Sequence, residues 1–437
     1  MSRVLVMGLG RFGGGAATAR WFALQGHEVL VTDVAEQSKL AATLESLADL
    51  PLRYKLGEHD PADFDRAEIV AVNPAIPFDH PLVARARAAG ARILTEIGMT
   101  LRLLEGPVVG VTGTNGKSTT CAMAAAMLEA SGVPVALGGN IGRPLLNRAA
   151  GLGAGTVAVL ELSSFQLQWL EHEDLVPAVG VVTNVSGDHF DRHPDFDHYV
   201  AAKRRLADAV PPDGLLVLCA DDPICVKFGR GARAPVAWSG AGIEPPVALD
   251  ELSVPGPHNR ANASAAALAA LAVGATPEGC RAGAQGYRPL PHRLEPVTER
   301  DGVLMVNDSV CTTPVAAAAA VRSYERPVIL LVGGRDKGLD WAPLVEMLSD
   351  DRRSPGERAG RFHESMAQAL LDQALALRER CEFEAVGLSG GVFQNRRLTE
   401  CVVSKLGAAG IDVRLHREVP ANDGGLSFGQ IIEAMSN

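Results

Sequence analysis

A run of small residues, Val109-Gly110-Val111-Thr112-Gly113-Thr114-Asn115-Gly116-Lys117-Ser118-Thr119, places a lysine and a serine directly after its last glycine. Glycines at this density let backbone N–H groups turn inward around phosphate. Lys117 would then reach the β- and γ-phosphates of a nucleotide, and the Ser118 hydroxyl would ligate Mg²⁺. A helix starting there would add the partial positive charge of its N-terminus. Gly113, Thr114, Asn115, Gly116 and Thr119 complete the candidate ATP loop. The strict phosphate-loop spelling would need glycine at Val111; here the extra glycine is Gly113, inside the loop. A second candidate is Glu161, which follows the apolar run Val157-Ala158-Val159-Leu160. A carboxylate at the end of a buried strand is costly unless a cation compensates it, so a metal ion is its expected partner. His189 and His193 have the four-residue spacing of a helical zinc pair, but Phe190-Asp191-Arg192 supplies no glutamate in the required place, and zinc is not expected.

Such a loop needs a strand before it and a helix after it, and the pattern repeats along the chain. Residues 4–7 form an apolar strand, followed by Gly8-Leu9-Gly10-Arg11-Phe12-Gly13 and a helical pattern; a second strand, residues 28–32, ends at Asp33. Glycines at that spacing with an acid about twenty residues on match the dinucleotide fingerprint, in which the acid accepts from a ribose or base. By itself this match would serve a nicotinamide or flavin dinucleotide, or be only a turn. The predicted class is α/β with three domains. Residues 1–106 form a Rossmann-like N-terminal domain, and 107–289 a central parallel-sheet domain around the ATP loop. Residues 290–350 are the first part of a C-terminal α/β domain, with strands at 303–306 and 328–332, and 351–437 are an atypical tail. The charged stretch 349–357 reads as a linker.

Composition narrows the partners. The 437 residues are 47% hydrophobic, enough for about three cores. A net charge of -10 with no basic run argues against nucleic-acid or membrane-surface binding and for small-molecule substrates. Seven cysteines, odd in number and never spaced C-x-x-C, point to reduced core residues. No apolar run approaches a membrane span or a signal peptide, so a cytoplasmic protein, acting as a monomer, is expected.

The variant ATP loop resembles that of Mur ligases and folylpolyglutamate synthases. The likeness continues through Gly138-Gly139-Asn140-Ile141-Gly142, Leu160-Glu161-Leu162-Ser163-Ser164-Phe165-Gln166-Leu167 and Asn184-Val185-Ser186-Gly187-Asp188-His189-Phe190-Asp191-Arg192-His193. The second string is similar to the D-glutamate-adding branch of the Mur ligases. What the resemblance implies is ATP-dependent addition of D-glutamate to UDP-N-acetylmuramoyl-L-alanine in peptidoglycan synthesis, through an acyl phosphate. It implies two Mg²⁺ ions, held by Ser118, Glu161, His189 and a Lys203 carbamylated by CO₂; taken alone, Lys203 is a solvated helix lysine. Lys117, His189 and Lys203 would be the catalytic set. Asn259, Arg293 and Asp308 would contact ATP, and Gly10, Arg11, Phe12, Asp33, Asn73 and Asn140 the UDP-sugar. Thr312 and Lys337 would hold the D-glutamate carboxylates. Two departures stand out: Asn73-Pro74-Ala75 replaces the usual Ser-Pro-Gly turn, and Val310 stands where many relatives carry lysine.

The tail resembles another family. Arg361-Phe362-His363-Glu364-Ser365, Leu388-Ser389-Gly390-Gly391-Val392-Phe393-Gln394-Asn395 and the glycine-rich string from Val419 to Gln430 are similar to the end of the hydrogenase-maturation carbamoyltransferases. Ser389 and Phe393 could imitate the Ser and Phe that close over D-glutamate in Mur ligases. Besides the ligase, the sequence therefore leaves open a chimeric nucleotide-binding protein without ligase activity and a carbamoyltransferase-related activity of the tail.

Overall fold

The computed structural model describes the chain apart from residues 11–12, 171–174, 188–191, 250–251, 301, 334–339, 343, 346–354, 380–382, 389–392, 394 and 416–437. It forms two compact units, Met1–Arg326 and Pro327–Asn437. The α/β class predicted above is the class observed.

The first unit begins with a five-stranded parallel sheet made of β1 (Arg3–Met7), β2 (Glu28–Asp33), β3 (Arg53–Leu56), β4 (Ile69–Val72) and β5 (Arg92–Leu94), in the order β3-β2-β1-β4-β5. The order reverses between β1 and β4, and it is at such a switch point that open α/β sheets leave a crevice for ligand. One face is packed by Phe22, Val29, Val31 and Leu47, the other by Phe64, Val70, Val83 and Ala86.

A second, six-stranded parallel sheet follows: β6 (Val108–Thr112), β7 (Val135–Gly139), β8 (Val157–Glu161), β9 (Val179–Val182), β10 (Leu215–Cys219) and β11 (Val236–Ser239), in the order β11-β10-β9-β6-β8-β7. Every residue of β6, β8 and β9 is buried, which is why these strands read as unbroken apolar runs with no alternation. Gly110 of β6 and Gly180 of β9 face each other in register. A Cβ on Gly110 would lie 2.9 Å from Leu206 Cδ1, and one on Gly180 2.6 Å from Val210 Cγ2. This bare patch lets the helix Phe196–Ala209 sit close on the sheet, and that helix carries Lys203.

The unit closes with an antiparallel pair, β12 (Glu295–Arg300) and β13 (Val303–Asn307), and the helix Pro314–Val321. The predicted strand at 303–306 is thus present. Its predicted companion at 328–332, which falls in the second unit, belongs to no sheet among the described residues, and Ile329 and Leu331 are 87% and 69% exposed. A β-branched run becomes a strand only where a neighbouring edge completes its hydrogen-bond ladder.

In the second unit, β14 (Ala385–Leu388) and β15 (Asp412–Leu415) pair in parallel, and the helices Pro355–Arg378 and Arg396–Ala408 share a core of Ala367, Leu388, Leu398, Val402 and Leu406. The helix Pro355–Arg378 begins inside the stretch read as a linker. Its proline stands at the first helical position, where the missing N–H costs nothing, so proline there opens a helix instead of breaking one.

If the bare patch sets the helix position, Gly180→Val should lower stability to denaturant by about 2–3 kcal/mol, the range for overpacking a filled core. A urea melt of the full chain checks this; an unchanged midpoint would show that the helix can move away freely.

Candidate active site

The ATP loop leaves β6 at Thr112 and enters the helix Lys117–Ala130 at Gly116. At Gly113 φ is 148°, and a Cβ would lie 1.9 Å from Thr183 Oγ1, so no larger residue fits. The loop is braced by the two residues after β9: Thr114 N donates to Asn184 O (2.8 Å), Asn115 N to Asn184 Oδ1 (2.9 Å), and Asn184 Nδ2 and Thr183 Oγ1 both donate to Asn115 O (3.0 and 2.6 Å). Lys117 Nζ donates to Thr114 O at 2.7 Å, which curls the lysine over the loop. Thr119 follows in the first turn of the helix.

Glu161 is the last residue of β8 and only 3% exposed. Its Oε2 accepts from Ser118 Oγ (2.5 Å) and its Oε1 from Asn140 Nδ2 (3.1 Å). Asn140, expected on the sugar side, is therefore placed beside the phosphate loop. Arg293 Nη2 donates to the same Ser118 Oγ at 3.0 Å. Among the described residues no three His, Cys, Asp or Glu side chains gather as a metal cage. A serine hydroxyl and a buried carboxylate at a phosphate loop nevertheless suit Mg²⁺, which takes few protein oxygens and fills its shell with water and phosphate. Cys121, one turn further along the helix, is inert: burial pushes its thiol well above its ordinary value, and the Glu161 charge adds to this.

Lys203 is 1% exposed and donates from Nζ to Gly113 O at 2.6 Å, with its ammonium 4.5 Å from the Tyr199 ring centroid. The tyrosine hydroxyl lies 2.9 Å from Thr114 Oγ1. Lys203 is thus brought to the phosphate loop and is not a solvated lysine. His189 lies outside the described residues. Its neighbour His193 is buried, with Nε2 3.0 Å from Ser164 Oγ and its ring stacked 5.6 Å from Phe165.

Asn259 is buried in the first turn of the helix Pro257–Ala272 and donates to Pro255 O (2.7 Å). Asp308 accepts from Leu294 N (3.0 Å); burial raises its pKa, an effect that neighbouring Arg293 opposes. Thr312 is exposed in the loop before the helix Pro314–Val321, and Lys337 lies outside the described residues.

In the N-terminal sheet, Gly10 has φ 69°, and a Cβ there would lie 2.1 Å from Asn73 Nδ2, so these two sugar-side candidates meet at the switch point. Asp33 Oδ2 accepts from Leu9 N (2.8 Å) and Oδ1 from Ala35 N (2.9 Å), tying the glycine loop to the end of β2. Arg11 and Phe12 lie outside the described residues. Trp169, at the end of the helix Ser164–Trp169 that follows β8, packs into the core of the N-terminal sheet, a placement with no sequence signal beyond that of any buried tryptophan.

Comparison with known proteins agrees with this geometry. The profile of the Mur ligase MurD-like N-terminal domain matches residues 2–95 and that of the Mur ligase middle domain residues 111–245. The profile of the carbamoyltransferase Kae1-like domain, second subdomain, matches residues 315–430. The UDP-N-acetylmuramoylalanine–D-glutamate ligase of Roseiflexus sp. (strain RS-1) is 38% identical over 376 residues, covering 79% of this chain and 81% of that protein. That of Trichlorobacter lovleyi is 34% identical over 410 residues, covering 89% and 90%. Among solved structures, the UDP-N-acetylmuramate-alanine ligase MurC of Thermotoga maritima shares the fold, with a TM-score of 0.51 and 18% identity over 95% of this chain and 90% of that one. A phosphate loop braced by the two residues after β9, a buried glutamate on its serine and relatives of this identity lead to one conclusion: the chain belongs to the Mur ligase family, among its UDP-N-acetylmuramoylalanine–D-glutamate ligases.

Proposed function

We propose that this chain joins D-glutamate to UDP-N-acetylmuramoyl-L-alanine at the expense of ATP. The observation that carries the reading is the convergence of Lys117, Glu161 and Arg293 on one phosphate loop. The γ-phosphoryl group of ATP passes to an oxygen of the alanyl carboxylate. The D-glutamate amine then attacks the acyl carbon, and phosphate leaves with the bonding pair as the amine loses its proton. No protein nucleophile is needed; the side chains bind, orient and balance charge. Lys117 turns from Thr114 O to the phosphates, Arg293 contacts nucleotide beside Ser118, and Asn259 and Asp308 frame the rest of it. Ser118 and Glu161 would hold Mg²⁺, which when bound offsets the repulsion between two anionic reactants.

Several finer assignments belong to the same reading. Lys203 is carbamylated, its amine adding to CO₂ and losing a proton, so that with His189 it can hold a second Mg²⁺. Gly10, Arg11, Phe12, Asp33, Asn73 and Asn140 receive the UDP-sugar, and Thr312 and Lys337 bind D-glutamate. The domains are 1–106, 107–289 and 290–350, with 351–437 as an appended segment. The ligase acts as a monomer in the cytoplasm, where ATP is available; no helix among the described residues is long and apolar enough to cross a membrane.

Purified protein should release phosphate only when Mg-ATP, UDP-N-acetylmuramoyl-L-alanine and D-glutamate are all present. Lys117→Ala and Glu161→Gln should each slow release by about 100-fold or more, the scale of lost electrostatic stabilisation at a transferring phosphoryl group. ATP binding by the wild type without release would leave a nucleotide-binding protein and sink the ligase reading.

The carbamate has its own check. Protein equilibrated with ¹³C-bicarbonate should show one carbamate carbon resonance that Lys203→Arg abolishes; a spectrum unchanged by the substitution would remove Lys203 from the metal set.

A further inference from the structure

The strand that aims Glu161 at Ser118 continues into the six-residue helix Ser164–Trp169. Its start is held by a capping box, with Ser163 and Gln166 each bonding the other's backbone N–H, and the connecting Leu162 is tied to β6, donating from N to Val111 O at 2.8 Å and accepting from Thr112 Oγ1 at 2.7 Å. Its last residue, Trp169, is 7% exposed and packs with Leu5, Met7, Phe64 and Val83, the core of the N-terminal sheet. Trp169 Nε1 donates to Ile76 O at 3.2 Å, and the indole lies 4.9 Å from the Phe78 ring. Arg87 covers both rings, 4.7 Å from the Phe78 centroid and 5.7 Å from that of Trp169. The turn so gripped begins at Asn73, whose amide abuts Gly10. A second link runs alongside: Arg192 Nη2 donates to Pro74 O at 3.1 Å while its guanidinium lies 5.1 Å from the Phe165 centroid, in the same short helix.

We propose that Trp169 is a positioning residue for the nucleotide-sugar, holding the turn from Asn73 to Phe78 at a fixed distance from the phosphate loop. One rigid piece, β8 with its helix, then sets both ends of the reaction: Glu161 fixes the phosphate end, and eight residues later Trp169 fixes the sugar end. The carboxylate to be phosphorylated belongs to a molecule bound at one end and the phosphoryl group to a molecule bound at the other, and misplacement by an ångström is enough to slow transfer. Trp169 touches neither substrate; it acts through Ile76 and Phe78. The proposal rests on the reading that the crevice beside Gly10 receives UDP-N-acetylmuramoyl-L-alanine.

Calorimetry on the full chain, with UDP-N-acetylmuramoyl-L-alanine and separately with a non-hydrolysable ATP analogue and Mg²⁺, tests it. Trp169→Phe keeps a ring but loses the N–H donor. It should weaken nucleotide-sugar binding about fivefold, the scale of one neutral hydrogen bond, and leave the ATP analogue within about twofold. Arg87→Met, at an exposed position, should act in the same direction by about twofold, and decides the matter if Trp169→Phe melts early. In steady state the same split should appear, with KM for the nucleotide-sugar rising and KM for ATP unchanged. Equal weakening of both ligands, or none, would overturn the positioning role. A wild-type chain that does not bind the nucleotide-sugar would overturn the substrate reading and this proposal together, an outcome visible before any variant is compared.

Discussion

Glu161 is a carboxylate taken out of water, and the nucleotide end of the molecule is built around keeping it there. Such burial costs several kcal/mol unless hydrogen bonds or a cation compensate it. Here Ser118 and Asn140 each donate to one of its oxygens, and Arg293 closes on the same serine. The position is set by register: Glu161 pairs with Val111, one residue before the end of β6, so the carboxylate emerges where the phosphate loop begins. A slip by one residue would turn it to the other face of the sheet and leave Ser118 without its acceptor.

The same economy governs the cationic side. A chain of net charge -10 gathers the cations Lys117 and Arg293 and the buried Lys203 amine around one loop. Lys203 reaches Gly113 O because Gly110 and Gly180 let its helix lie close to β6 and β9. Packing and chemistry are thus one decision: the glycines that remove side chains from the sheet bring the Lys203 nitrogen to the loop.

The inner strands of both parallel sheets were legible in the sequence because buried strands are apolar runs, whereas the edge strand β3 reads Arg-Tyr-Lys-Leu and gave no such run; the phosphate loop was legible because few residues other than glycine tolerate its backbone. What was not legible depended on where a loop turns. Asn140 follows two glycines at the end of β7, and only the pairing of β7 with β8 shows that its amide faces Glu161. Trp169 gave no signal, since burial against another sheet and burial in its own look alike in sequence. The run 328–332 has every local property of a strand and is not one, because strand formation is decided by a neighbour that local properties do not report.

That run carries a cost that grows with the amount of protein present. Val328, Ile329, Leu331 and Val332 are all exposed, on a backbone that pairs with no sheet among the described residues. An uncharged β-branched segment in that state is a template for the same segment of another molecule. Encounters between two copies increase with the square of concentration, whereas turnover of substrate increases only in proportion to it. The dose at which this chain is expressed is therefore itself under physical constraint: a cell gains catalysis linearly from each added copy and accumulates self-association faster than that.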